Sequence, residues 1–406
     1  MRALPAQAIV LLIAVLSLAG PATCQRLNDR SKPINDPVQC PYTEGQQELM
    51  EKVGLVSLGG GYAFGKGTTA DVDEFLASNT IYWFESAHFK LGLAAGNYKV
   101  DSKERKKVNA ELLALHEKLD TIPEKTSTMD PWLRGILILQ RMEACYSEFL
   151  EIVGVDEADF PDGTTLWDMT GTYMGEGPYL GMPSKYEILI LPSEGSLKAF
   201  LNENFGLVAT RSQRYHVLER GALIFVCQTR QGSNSKDIAL HGHLVANMVH
   251  QFLHGFRHYS YETPAWIHSG FSHWSERRVS PDYNSFDFSE GGILRTSNKS
   301  DWNAPVRKMV SAGKAPSIAR LAGLRGYGEM TLDDHFAVWS IVDYLQQAHP
   351  GFLGKLFWRI KGLKDEQGLA AGDEVLDAQR AAFEEDLGLG YLRFDRAWQE
   401  WVLENY

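Results

Sequence analysis

The stretch that decides how this chain is read is HQFLHGFRHYSYETPAWIHSGFSHWSERR, from His250 to Arg278. His250 and His254 stand four apart in a run whose apolar spacing predicts a helix from about Ile238 to Arg257. Residues four apart lie one turn apart on a single helix face, so both imidazoles project to the same side. At this spacing two imidazoles converge on one ion, as in the HxxxH half of the zinc motif HExxH. Pro264 suits the first turn of a second helix, which then carries His268 and His273.

Upstream of this stretch the hydrophobic period changes from helical to extended. Tyr186–Leu191 (YEILIL) reads as a strand, Ser193–Phe205 as a helix, and Arg214–Glu219 and Ala222–Cys227 as two further strands. Downstream, 332–406 reads as three or four helices whose large apolar residues, Phe336, Trp339, Phe357 and Trp398 among them, are core. Residues 25–182 read as a separate, mostly helical region with one short strand near Thr80–Phe84. Asp130-Pro131 starts its most apolar helix, Asp as N-cap and Pro in the first turn. The expected division is therefore 1–24, 25–182 and 183–406. Gly60 to Gly67 (GGYAFGKG) comes close to a phosphate loop, but Gly67 replaces the hydroxyl residue, so it reads as a surface loop.

The 406 residues are 44% hydrophobic and 22% charged with a net charge of -11, an ordinary globular composition that argues against nucleic acid or an anionic membrane surface as partner. Met1-Arg2, the apolar run Ala8–Ala19 and the break at Gly20-Pro21 have the layout of a signal peptide cleaved after Cys24. No later run is apolar for long enough to span a bilayer, so the expectation is an exported protein without an integral membrane segment. In an oxidising compartment Cys40 is expected to pair with Cys145, and Cys227, inside ALIFVC, to be a buried free thiol. Asn298-Lys299-Ser300 is a glycan acceptor sequence.

The order of residues after the histidine pair carries a family resemblance. Pro264-Ala265-Trp266-Ile267-His268-Ser269-Gly270-Phe271-Ser272, followed by HFAVWSIVDYLQQAHP from His335 and AFEEDLG with a Trp-rich terminal helix, resembles the gluzincin branch of zinc metallopeptidases, the peptidase MA-like group. There HExxH precedes P-x-W-[LI]-x-E-G-[LF]-A, whose Glu is the third zinc ligand. The likeness covers about 186–406. It implies an α+β, mainly helical fold, with a small sheet over the motif helix, a helical lower lobe and zinc between them.

This chain departs from the pattern where the chemistry is done. Gln251 stands at the general-base position, and an amide cannot relay the proton of a metal-bound water; that forfeits about 100- to 10,000-fold in rate. Ser269 stands at the third-ligand position, and His335 falls where the family often places an oxyanion-steadying Tyr. His273, four after Ser269 on the same face, is the candidate for rebuilding a three-histidine site. His268 is turned about 100° from Ser269 and is expected to miss the ion. The resemblance thus implies an exported, degenerate member without peptidase activity, its cleft kept for a peptide or protein. The alternative is a zinc-dependent hydrolase on His250, His254 and His273, with Glu262 as the nearest acid.

Overall fold

The computed structural model describes residues 37, 39–165, 173–259, 263–286, 300–363, 365–366 and 371–406. The expected signal peptide with Cys24, the candidate base Glu262, and Asn298 and Lys299 lie outside the described residues. The strands are β1 (Leu55–Leu58), β2 (Ala63–Phe64), β3 (Gly67–Thr68), β4 (Tyr82–Ser86), β5 (Phe89–Leu93), β6 (Tyr98–Lys99), β7 (Thr128–Met129), β8 (Tyr186–Leu191), β9 (Gln213–Val217) and β10 (Ala222–Gln228). Helices α1 (Gln47–Lys52), α2 (Thr69–Phe75), α3 (Arg105–His116), α4 (Pro131–Val153) and α5 (Glu194–Phe205) are interleaved with them. The second half is helical: α6 (Asp237–Gly255), α7 (Ala265–Val279), α8 (Asn303–Ser311), α9 (Ile318–Ala322), α10 (Leu332–Ala348), α11 (Phe352–Ile360), α12 (Val375–Ala381) and α13 (Tyr391–Asn405). No described helix is long and apolar enough to cross a membrane.

The fold is α+β. Its main sheet is mixed, in the order β1-β4-β5-β8-β10-β9. β8 is parallel to both β5 and β10, and the remaining pairings are antiparallel. Every residue of β8 and β10 is buried, which is why both are dominated by apolar residues: an interior strand covered on both faces has no solvent side, and the exceptions, Glu187 and Gln228, are buried too. Alternate residues divide between two cores with the period of two that a strand imposes. Tyr186, Ile188, Ile190, Leu223, Phe225 and Cys227 join the core containing α4 and α6. Leu189, Leu191, Ile224 and Val226 pack with Leu197, Phe200 and Leu201 of α5 on the opposite face.

Local signals placed several elements where the sequence puts them. Ser193 caps α5 by accepting from the backbone N–H of Ser196, and Asp130 caps α4 by accepting from that of Leu133. α4 ends at Gly154, which adopts φ 71°, a conformation open to glycine at no steric cost.

The N-terminal part departs from expectation. Beside α1–α4 it carries more strand than expected, and β1, β4 and β5 lie in the same sheet as β8 and β10. Residues 35–406 form one compact unit, and position 182/183 lies inside it. β5 pairs with β8 in register from Phe89 opposite Tyr186, a partner about a hundred positions away that no local pattern reveals. Cys40 and Cys145 are each buried and unbonded, so the expected disulfide is absent. Burial pushes the Cys145 thiol up to about 12 and removes it from thiolate chemistry. Cys227 is the buried free thiol expected of it. The Gly60–Gly67 loop is pinned to the sheet, where the N–H of Gly65 donates to Oε2 of the buried Glu187 at 2.7 Å.

Candidate metal centre

Helix α6 stops two residues earlier than its apolar period suggests, and the stop sets up the site. Arg257 takes φ 65°, a left-handed conformation costly for a residue with a Cβ. Its backbone N–H donates to Leu180 O at 2.7 Å, and its guanidinium donates to Tyr173 O at 3.0 Å and Trp358 O at 3.1 Å. The same group lies 4.6 Å from the Trp358 ring centroid. Held this way, the chain doubles back and α7 packs along α6. Trp266 anchors the start of α7, fully buried, with its indole N–H on Gln379 Oε1 at 2.8 Å.

Helix α7 presents two different faces. Ser272 Oγ donates to Ala246 O of α6 at 2.8 Å, which fixes the 268/272 face against α6. Ser269 Oγ lies 3.4 Å from Met330 Sδ, and His273 meets His335 of α10, so the 269/273 face looks the other way. This corrects the sequence reading. His268, expected to miss the ion, points at the histidine pair, and His273, the candidate third ligand, is hydrogen-bonded to Glu276 and His335.

His250, His254 and His268 each offer a ring nitrogen, and these atoms lie within 4.8 Å of one another. The His268 ring lies 4.2 Å from that of His254 and 5.2 Å from that of His250. His250 and His268 are buried and His254 is partly so. Nε2 of His268 is hydrogen-bonded to Thr263 Oγ1, while its Nδ1 is buried and has no partner among the described residues. Tyr327 Oη approaches His250 Nδ1 at 3.5 Å, and Lys361 Nζ donates to His254 O at 2.7 Å, capping the end of α6. Burial, then the neighbouring cations, holds the titration of His250 and His268 well below the usual histidine value. Both rings are therefore neutral at physiological pH with lone pairs available to a metal.

Gln251 is also buried, and neither its amide oxygen nor its nitrogen has a hydrogen-bond partner among the described residues. An unpaired buried amide is unfavourable by about 1–3 kcal/mol, which native proteins tolerate mainly where a water, ion or ligand completes it.

His273 and His335 form a second, separate group. His273 Nδ1 contacts Glu276 Oε1 at 2.7 Å and its Nε2 contacts His335 Nδ1 at 3.0 Å, so both nitrogens of His273 are engaged. Glu276 also accepts from the Ser285 backbone N–H at 2.9–3.0 Å, and burial pushes its carboxyl well above the usual range. His335 is thus a buried partner of His273. His241, which reads from sequence as a surface or capping residue, is buried.

Two cavities flank the triad. One of about 20 Å³ lies between His250 and His273 and is lined by polar groups including Arg211, Arg214, Asn247 and Ser285. The other, about 10 Å³, is lined mostly by apolar residues such as Leu253, Phe256, Ile267 and Phe357, beside His268.

The signal for His268 was present in the sequence as a third histidine within the motif stretch. The E-G alignment pointed to position 269, and only the packing of α7 shows which face meets α6. The chain matches no family model and no curated protein.

Proposed function

We propose that this chain is an exported, gluzincin-like protein that holds one zinc ion on His250, His254 and His268 and has lost the peptidase chemistry of that pattern. The convergence of three histidine nitrogens from two packed helices carries the reading. The donor set suits zinc: among the described residues it is three imidazoles, the ligands of three-histidine zinc sites, which keep a fourth position open, whereas calcium and magnesium take oxygen ligands. His268 has the arrangement of a ligating histidine, one nitrogen fixed by an outer partner, Thr263, and the other unpaired. Zinc bound there would supply Lewis acidity and a polarised water. Gln251, at the general-base position of the pattern, cannot take that water's proton, because an amide has no titratable function near neutral pH. Export rests on the Met1–Cys24 pattern.

Metal content by mass spectrometry, on purified protein reconstituted with zinc, tests the reading. Wild type is expected to hold close to one zinc per chain, His268→Phe to lose it and His273→Ala to keep it. Wild type without zinc, or zinc retained by His268→Phe, would overturn it. Peptide hydrolysis abolished by His254→Ala would sink the claimed loss of peptidase chemistry.

The open fourth position also favours a second reading, a zinc-dependent hydrolase whose base is not residue 251. In that case Glu262→Gln abolishes turnover while the metal stays bound.

A further inference from the structure

We propose that the cavity beside His250 is a carboxylate-binding subsite, so that the ligand of this centre is a carboxylate-bearing molecule entering on the arginine side. The inference rests on the zinc reading above and extends it to the ligand.

The inner cavity, about 20 Å³, has room for little more than one water or one carboxylate oxygen. His250 forms one wall, and Arg214 of β9 with Arg211 just before it form another. Two arginines lining one small cavity with the buried His250 stand out in a chain of net charge -11. The planar fork of an arginine matches the two oxygens of a carboxylate better than any neutral group.

The surrounding frame is fixed before any ligand arrives. Arg214 Nη1 donates to Asn247 Oδ1 of α6 at 2.5 Å. The Ser212 backbone N–H donates to Gln231 Oε1 at 2.7 Å, and Gln231 Nε2 donates to Ser212 Oγ at 2.9 Å. His243 bridges Ser212 Oγ at 3.0 Å and Ser285 Oγ at 2.9 Å. β9, the loop after β10, α6 and the segment following α7 are thereby tied into one rim. The nearby carboxylate, Glu276, is occupied by His273 and by the N–H of Ser285.

A wider space of about 240 Å³ adjoins this cavity and shares Arg211, Gln231, His243, Ser285 and Phe286 with it. It can take the body of a small molecule or the last residues of a peptide. The cavity on the far side of the triad is mainly apolar and about 10 Å³, so the polar approach to the histidines lies on the arginine side.

Isothermal titration of the zinc-loaded protein with four probes tests this: acetate, N-acetyl-Ala-Ala with a free carboxyl terminus, the same peptide amidated, and inorganic phosphate. A free carboxylate is expected to bind and the amide to fail. Arg211→Gln should weaken carboxylate binding about tenfold, and Arg211→Lys, which keeps the charge without the fork, should fall between. Tighter binding of the peptide than of acetate identifies a chain terminus as the source, and the reverse identifies a free small acid. Equal binding of acid and amide, binding of phosphate alone, or no effect of Arg211→Gln would overturn the subsite. Zinc content measured on the same samples separates the two claims. Arg211-dependent carboxylate binding without zinc would remove the metal and keep the subsite, whereas zinc without such binding would remove the subsite alone.

Discussion

Helix α7 carries two buried histidines to opposite faces, and their surroundings differ in kind. His273 has both ring nitrogens engaged, by Glu276 and by His335. His268 has one nitrogen held by Thr263 and the other without a partner among the described residues, beside two more imidazoles. Satisfied buried polar groups hold a fold together. A buried nitrogen without a partner among the described residues, beside two further imidazoles, is expected where something else is to be bound. The first cluster therefore reads as architecture and the second as a site, although sequence spacing makes His273 and not His268 the candidate third ligand.

On that contrast, the largest effect comes from breaking the His273–Glu276–His335 cluster. His273→Ala strips Glu276 and His335 of a buried partner and should lower unfolding stability by about 3–5 kcal/mol in denaturant titration, with zinc content unchanged. Zinc lost in this variant while the fold survives would mean that the two clusters are one.

His268→Phe keeps the ring volume and removes both nitrogens. Loss of an outer-shell partner weakens a metal by about 10- to 100-fold, so loss of a ligand should exceed about 100-fold, with metal-free stability changed by less than about 1.5 kcal/mol. A competition titration against a chelator measures the first effect and denaturant unfolding the second.

The clusters should also tilt the pH dependence of metal-free stability in opposite directions. His268 has a folded value below its unfolded value near 6.5, so the unfolded chain takes up the proton first and stability falls as pH drops below 6.5. Glu276 has a folded value above its unfolded value near 4.5, so its contribution is complete below 4.5 and is lost as pH rises above it. His268→Phe should flatten the acid-side decline by up to about 1.4 kcal/mol per pH unit, and Glu276→Gln should remove a loss of opposite sign. Unfolding curves between pH 4.5 and 7 test this, and equal slopes in wild type and both variants would remove the distinction.

The smallest effect expected is that of Thr263→Val, which releases His268 Nε2 without touching a ligand. Zinc affinity should fall about tenfold, and a fall as large as that of His268→Phe would show that Thr263 does more than orient the ring.

Much of the fold was legible because its signals are local. YEILIL and ALIFVC are mostly apolar runs of strand length, and strands with that pattern sit in the interior of the sheet. Asp130 and Ser193 mark their helix starts because a side-chain oxygen satisfies an orphan N–H within the same few residues. The strands β1 and β5 were not legible. Their place depends on β4 and β8, and FKLGL, with its lysine and glycine, carries only a weak extended signal of its own.

The candidate site divides in the same way. That His250 and His254 share a face follows from helical geometry alone, and so does the chemical deficit of an amide at position 251, because both belong to a single helix. The identity of the third histidine was decided by the crossing of two helices. One residue along α7 is about 100° of rotation, and whether 268 or 269 faces α6 depends on how the chain turns at Arg257 and where Trp266 anchors. Composition and period determine which residues are available to a site. Only the packing of α6 against α7 decides which of them meet, because the meeting partners are fixed by contacts that no stretch of sequence contains.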